Sequence, residues 1–250
     1  MADKMDMYYF SPTGGTKKVS SIFAAALGRD VVWHNLGSKQ TISGKPQGEL
    51  AVVAAPVFGG RIPSVVREKI KKLDGKGKKA VTIAVYGNRA YEDALLELND
   101  ILIESGFTVI ASAAFVAQHS IVPEVGAGRP DFEDEKEIRA FAEAVQRSTA
   151  AENVHVPGNH PYKPEMNVAV TPISLPSCMA CGVCEKVCPT AAIAQEDGKM
   201  VTDAEKCILC MACITACPQQ ARVLPPPLLQ KTENMLAAFK TVRNKNEVFF

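Results

Sequence analysis

The sequence predicts an α/β fold, a doubly wound five-stranded parallel sheet in the order 2-1-3-4-5 covered by helices, followed by a small cysteine-rich α+β module. Short apolar runs alternate with amphipathic stretches up to about residue 148, the pattern of a parallel sheet wrapped by helices. A run of prolines follows, and all eight cysteines then lie between Cys178 and Cys217.

The predicted strands are Met5–Phe10, Val31–Trp33, Leu50–Ala55, Ala80–Val85 and Thr108–Phe115. Thr16–Leu27, Pro63–Leu73 and Tyr91–Glu104 read as helices. Acidic Asp131-Phe132-Glu133-Asp134-Glu135 opens a fourth, through about Arg147, with negative charge at the favourable N-terminal end. From Ala150 to Pro176, Pro157, Pro161, Pro164, Pro172 and Pro176 break any helix and deny a central strand. This stretch reads as an extended, semi-rigid spacer. The expected organisation is an α/β domain over 1–149, a linker over 150–175, the cysteine module over 176–224, and a helix (Leu228–Val242) with a tail over 225–250.

A chain of 250 residues with 47% hydrophobic content buries a proper core. Its 28 basic and 27 acidic residues nearly cancel, so no global field points to nucleic acid or a membrane surface. No apolar run approaches the length of a membrane span, and the N-terminus lacks the features of a secretory signal. A cytoplasmic location is expected.

The cysteines form two copies of one pattern, Cys178-x2-Cys181-x2-Cys184-x3-Cys188-Pro189 and Cys207-x2-Cys210-x2-Cys213-x3-Cys217-Pro218. Structural zinc sites show separated C-x2-C pairs and would leave each third cysteine unexplained. Disulfides suit short secreted chains. The spacing is an iron–sulfur signature, each tight turn wrapping three thiolates around a cuboid. Ala180, Gly182 and Ala212 are small enough for close approach, and Pro189 and Pro218 turn the chain away from a helix. The repeat continues into Pro-Thr-Ala-Ala-Ile and Pro-Gln-Gln-Ala-Arg, two halves of a pseudo-twofold module. It resembles the two-cluster bacterial ferredoxins, in which the fourth cysteine of each run serves the other cluster. That resemblance implies one [4Fe–4S] centre on Cys178, Cys181, Cys184 and Cys217, and a second on Cys207, Cys210, Cys213 and Cys188.

The first predicted strand runs into Ser11-Pro12-Thr13-Gly14-Gly15-Thr16, where hydroxyls and glycines open a helix, a potential anion site. It matches neither G-x4-G-K-[ST] nor G-x-G-x-x-G, so neutral donors holding a monophosphate fit better than Walker-type or dinucleotide binding. Two more loops, Pro56-Val57-Phe58-Gly59-Gly60 and Tyr86-Gly87-Asn88-Arg89 with Tyr91, lie where such a sheet binds ligands beside its switch point. Here the domain resembles the flavodoxin family, with Ser11–Thr16 matching its phosphate loop and the other two its ring-binding loops. The resemblance covers residues 5 to about 147 and implies FMN, with Tyr91 favoured over Phe58 and Tyr86 to stack on the ring. The whole chain looks like flavodoxin–ferredoxin fusion proteins of anaerobic bacteria and archaea.

His119 reads as a hydrogen-bonded structural residue. His34, His155 and His160 have no recognisable partner, and Trp33 reads as core. The basic stretch from Arg67 to Lys79 reads as a solvated helix face, since Val66, Ile70 and Leu73 recur at helical spacing. The combination predicts an electron-transfer protein relaying electrons between FMN and two [4Fe–4S] clusters, with redox proteins as partners and neither nucleic acid nor membrane. A homodimer would shorten any gap left by the linker. One alternative is a flavin-dependent reductase whose substrate enters near His119 and the loop Pro123–Asp131; another is a ferredoxin with a flavin-free interaction domain. No nicotinamide-binding signature is present.

Overall fold

A computed structural model describes residues 4–166 and 170–250. Its main sheet contains β1 (Lys4–Tyr9), β2 (Asp30–Asn35), β3 (Leu50–Pro56), β4 (Lys79–Tyr86) and β5 (Thr108–Val116), interleaved with α1 (Gly15–Leu27), α2 (Ser64–Ile70), α3 (Ala94–Glu104) and α4 (Phe132–Arg147). These five strands are parallel in the order β2-β1-β3-β4-β5, a flavodoxin-like arrangement. Inner strand β3 is apolar throughout because both of its faces are covered. Met5, Met7, Val52 and Ala54 face Phe23 and Phe141 of α1 and α4, while Tyr8, Ala51 and Val53 face Val66, Ile70 and Leu98 of α2 and α3. At the start of α4, Asp131 accepts from the backbone N–H groups of Glu133 and Asp134, and the Asp134 carboxylate accepts from Asp131 N–H, forming a capping box.

Several expectations change at the edges. Trp33 lies on edge strand β2 and is 38% exposed, with Lys17 over its ring. His34 and His160 do have partners: Asp6 at 2.7 Å and Asp100 at 2.9 Å. The basic helix face is not wholly solvated, because Arg67 bridges Glu97 and Glu165, and Lys69 Nζ donates to Ser38 O.

The cysteine module contains β6 (Ile173–Ser174), α5 (Val183–Lys186), β7 (Ile193–Glu196), β8 (Lys199–Thr202), α6 (Ala212–Thr215) and β9 (Arg222–Val223). Strands β6 and β9 pair antiparallel, as do β7 and β8. The next helix, α7 (Pro226–Leu236), begins on the prolines themselves, which fit a first helical turn. It is shorter than expected, passing into a 3₁₀ turn at Ala237–Phe239. Finally, β10 (Glu247–Phe249) joins the outer edge of β5 antiparallel and makes the sheet six-stranded. Three residues at a tail are too few for a periodic signal. Their contribution is to cover an edge that would otherwise expose unpaired backbone groups.

The proline-rich stretch lies against the α/β domain. Val154 N–H donates to Val109 O, and Asn153 Oδ1 accepts from Val109 N–H. Further on, the buried Asp93 carboxylate accepts from the backbone N–H groups of Asn159 (2.9 Å) and Lys163 (2.7 Å). Asp100 accepts from Tyr162, and Lys163 pairs with Glu92. These bonds pin residues 153–165 along α3 as a strap.

Candidate functional site

A cavity of about 530 Å³ lies beyond the carboxyl ends of β1, β3 and β4. All three predicted loops contribute, through Thr13, Gly15 and Thr16, through Pro56, Val57, Phe58, Gly59 and Gly60, and through Tyr86, Gly87 and Arg89. Gly14 sits at φ 96° and begins α1, which brings the helix N-terminus to the cavity floor. Gly87 lies so close to the His119 ring that a side chain there would collide with it.

Four predicted contacts do not line this cavity. Ser11 Oγ accepts from Lys17 N–H at 2.8 Å, and Gly14 only shapes the turn. Tyr91 is buried, packs edge-on to Tyr86 and donates its hydroxyl to Glu247 Oε2 at 2.8 Å, which ties it to the C-terminal strand. Asn88, fully buried at φ 58°, also turns to the C-terminal segment. Its Nδ2 donates to Phe239 O and Val242 O, and its Oδ1 accepts from Asn244 N–H and Arg129.

His119 does line the cavity and is held structurally. Its Nδ1 faces the backbone N–H groups of Ile121 and Val122, each at 3.2 Å. Acceptance at Nδ1 places the ring proton on Nε2. Burial, with help from the Arg89 charge, lowers its pKa to about 4, so the ring is neutral at pH 7. The loop after it supports the C-terminal helix, with Val122 and Val125 packed on Leu236.

The cavity has a roof that sequence reasoning missed. The strap supplies Lys163, Pro164, Glu165 and Met166; α7 supplies Leu228, Thr232, Met235 and Leu236; the cysteine module supplies Leu209 and Cys210. Ile208 and Cys210 also pack on the apolar core beneath α2 and α3. Neither a proline-rich linker nor an ordinary amphipathic helix declares such a role in sequence.

In the cysteine module, Cys188, Cys207, Cys210 and Cys213 line one small cavity, three from one run and one from the other. The pseudo-twofold is visible in the backbone. Ala180 and Leu209, Gly182 and Met211, and Ala191 and Gln220 occupy matching left-handed positions. The second turn therefore adopts the same path with Leu209 and Met211 where the first has Ala180 and Gly182. Matching hydrogen bonds run from Ala192 N–H to Cys188 Sγ (3.2 Å) and from Ala221 N–H to Cys217 Sγ (3.3 Å). Burial pushes the Cys210 thiol up to about 12, so as a free group it stays protonated, and binding iron would require loss of that proton. Cys184 is buried, whereas Cys181 is exposed. Among the described residues no three His, Cys, Asp or Glu side chains are grouped to hold one metal ion. An all-thiolate set spread around a hollow suits a cubane, where each sulfur serves a different iron.

Residues 177–221 match the family model of the 4Fe-4S dicluster domain. The chain is 39% identical over 67 residues to ferredoxin Fdx2 of Sorangium cellulosum, an alignment covering 24% of this chain and 65% of that protein. It is 46% identical over 44 residues to one component of the ion-translocating oxidoreductase complex of Methanosarcina acetivorans, covering 18% of this chain and 17% of the relative. The chain thus spans less than two thirds of these curated relatives. Among solved structures, a Fusobacterium nucleatum flavodoxin bound to flavin mononucleotide is 16% identical with a TM-score of 0.44, over 58% of this chain and 98% of that one. By its strand order the sheet is flavodoxin-like, and residues 177–221 carry the 4Fe-4S dicluster pattern. No helix among the described residues is long and apolar enough to cross a membrane.

Proposed function

We propose that this protein relays electrons between an FMN held in the 530 Å³ cavity and two [4Fe–4S] clusters held by the crossed cysteine sets. The observation that carries the reading is the position of Cys210, which lines the large cavity and also the cysteine cavity. A ligand of one cluster therefore borders the flavin site within a single chain, and the relay needs no second copy. FMN supplies exchange of one or two electrons, whereas each cubane exchanges one.

The chain's residues divide the remaining work. Thr13, Thr16 and the first turn of α1 offer neutral donors to a phosphate, and Phe58 and Tyr86 bring aromatic faces to the cavity wall. His119 presents a neutral ring, and Arg89 brings a cation to the same wall. Strap and α7 cover part of the cavity. Cys207, Cys210, Cys213 and Cys188 hold the proximal cluster, and Cys178, Cys181, Cys184 and Cys217 the distal one. The exposure of Cys181 and of Met179, the latter 68% exposed, supports a distal cluster near the surface, where a redox partner would exchange electrons.

Anaerobic reconstitution with iron, sulfide and FMN tests the reading, followed by quantitation and a redox titration read by EPR and absorbance. About eight irons and one FMN per chain, equilibrating with one another, are expected. Eight irons without retained flavin would reduce the protein to a ferredoxin with a repurposed α/β domain.

A further inference from the structure

Arg222 is the bulkiest fully buried side chain in the described structure, although charged residues are seldom buried without a partner. It ends the Pro-Gln-Gln-Ala-Arg stretch after Cys217. At the matching point of the first half stands Ile193, apolar and buried among Ala192 and Met200. The guanidinium thus breaks the internal symmetry at one interior position.

Among the described residues, its hydrogen bonds go to neutral oxygens and none to a carboxylate. One terminal nitrogen donates to Ser174 Oγ (2.9 Å) and Met200 O (3.2 Å); the other donates to Pro172 O (3.0 Å) and to Thr202 Oγ1. Its Nε–H is, among the described residues, the sole buried side-chain nitrogen or oxygen without a hydrogen-bond partner. Its backbone neighbour Ala221 donates its N–H to Cys217 Sγ at 3.3 Å, and β9 packs against α6, the helix that carries Cys213. Cys213 belongs to one expected ligand set and Cys217 to the other, so the guanidinium stands beside both cluster positions.

A buried cation held only by neutral oxygens needs a counter-charge. Two thiolate-ligated cubanes, each anionic and more so when reduced, are the nearest source. We infer that Arg222 is the shared counter-ion of the two clusters, a tuning residue whose fixed charge favours their reduced states; this rests on the cluster reading given above. Reduction adds one electron to a cluster and no proton, and the guanidinium stays charged throughout.

The test compares the reconstituted full chain with Arg222→Ile, which restores the first-half residue, and with Arg222→Lys, which keeps the charge. Midpoint potentials are read by EPR-monitored titration, and iron is counted in each sample. With about eight irons bound, Arg222→Ile is expected to lower the reduction equilibrium constant of at least one cluster about tenfold, equivalent to about 59 mV for one electron. Arg222→Lys should stay within about threefold of the parent. Potentials of Arg222→Ile within threefold of the parent at full iron loading would overturn the inference. Should Arg222→Ile fail to load iron, loading of Arg222→Lys but not Arg222→Gln supports a requirement for charge, and any other pattern between those two overturns it. A parent chain that binds no iron would instead count against the cluster reading itself.

Discussion

Asn88→Ala tests how the cavity roof is held. The Asn88 side chain makes four hydrogen bonds, donating to Phe239 O (3.2 Å) and Val242 O (2.6 Å) and accepting from Asn244 N–H (3.0 Å) and Arg129 (3.2 Å). Arg129 keeps its bond to Asn244 O, so three groups of the C-terminal segment lose a partner. At a net value of about 1 kcal/mol per bond, and with partial recovery by water at the exposed Val242, the loss is roughly 2 kcal/mol. Alanine at φ 58° adds about 1 kcal/mol, because asparagine tolerates the left-handed region better. The sum, about 3 kcal/mol, falls on local opening of residues 237–249 and not on the sheet core. Hydrogen exchange at the β10 amides should therefore quicken about 100-fold, with the central amides of β3 and β4 unchanged. Flavin affinity should fall as α7 loosens. Unaltered exchange at Val248 and Phe249 would refute the assignment of Asn88 to the tail.

Three further outcomes follow from the same geometry. Thr13→Ala combined with Thr16→Ala should lower flavin affinity at least tenfold in a fluorescence titration while leaving the denaturation midpoint within about 1 kcal/mol, as expected for lost phosphate hydrogen bonds worth about 1 kcal/mol each. His119 has a folded pKa near 4, below its ordinary 6.5, so the unfolded chain binds more protons between those values. Its contribution is complete above pH 6.5 and is lost as pH falls toward 4, a few kcal/mol that His119→Gln should remove from the pH dependence of urea unfolding. Tyr91→Phe deletes only the bond to Glu247, so stability should drop by about 1 kcal/mol while the absorbance spectrum of bound flavin stays unchanged. A shifted flavin spectrum would restore Tyr91 to the ring.

The sheet was legible because its information is local: apolar runs such as Leu50–Ala55 have one stable placement, buried on both faces. The cysteine pattern was legible because ligand spacing is covalent arithmetic along the chain. What escaped depends on long-range partners. Asn88 and Tyr91 sit in a loop whose sequence suits a ligand, yet their partners are residues 239–247, far along the chain. The 150–166 stretch carries many prolines, which speak of extension but not of the surface it lies on. Its placement comes from Asp93, a single buried carboxylate whose backbone donors no periodicity reveals. Arg222 was visible as the last letter of a repeat, but its burial without a carboxylate was not.

These features together give the proposed electron route a direction in space. The 530 Å³ cavity is flanked by α7, the strap and the cysteine module, so in the proposed arrangement a large partner would meet these elements before the ring. Cys210 is the point at which the walled cavity touches the cluster pair, and Cys181 is the exposed cysteine at the other end. In the proposed arrangement an outside protein reaches the distal cluster first, and electrons pass the buried Arg222 before reaching the flavin. A cation beside both clusters steadies an electron on either cluster while its neighbour is still oxidised. Single-electron exchange at the surface could then be matched to two-electron storage in the interior, which a freely exposed flavin beside the same clusters would lose to side reactions with solvent and oxygen.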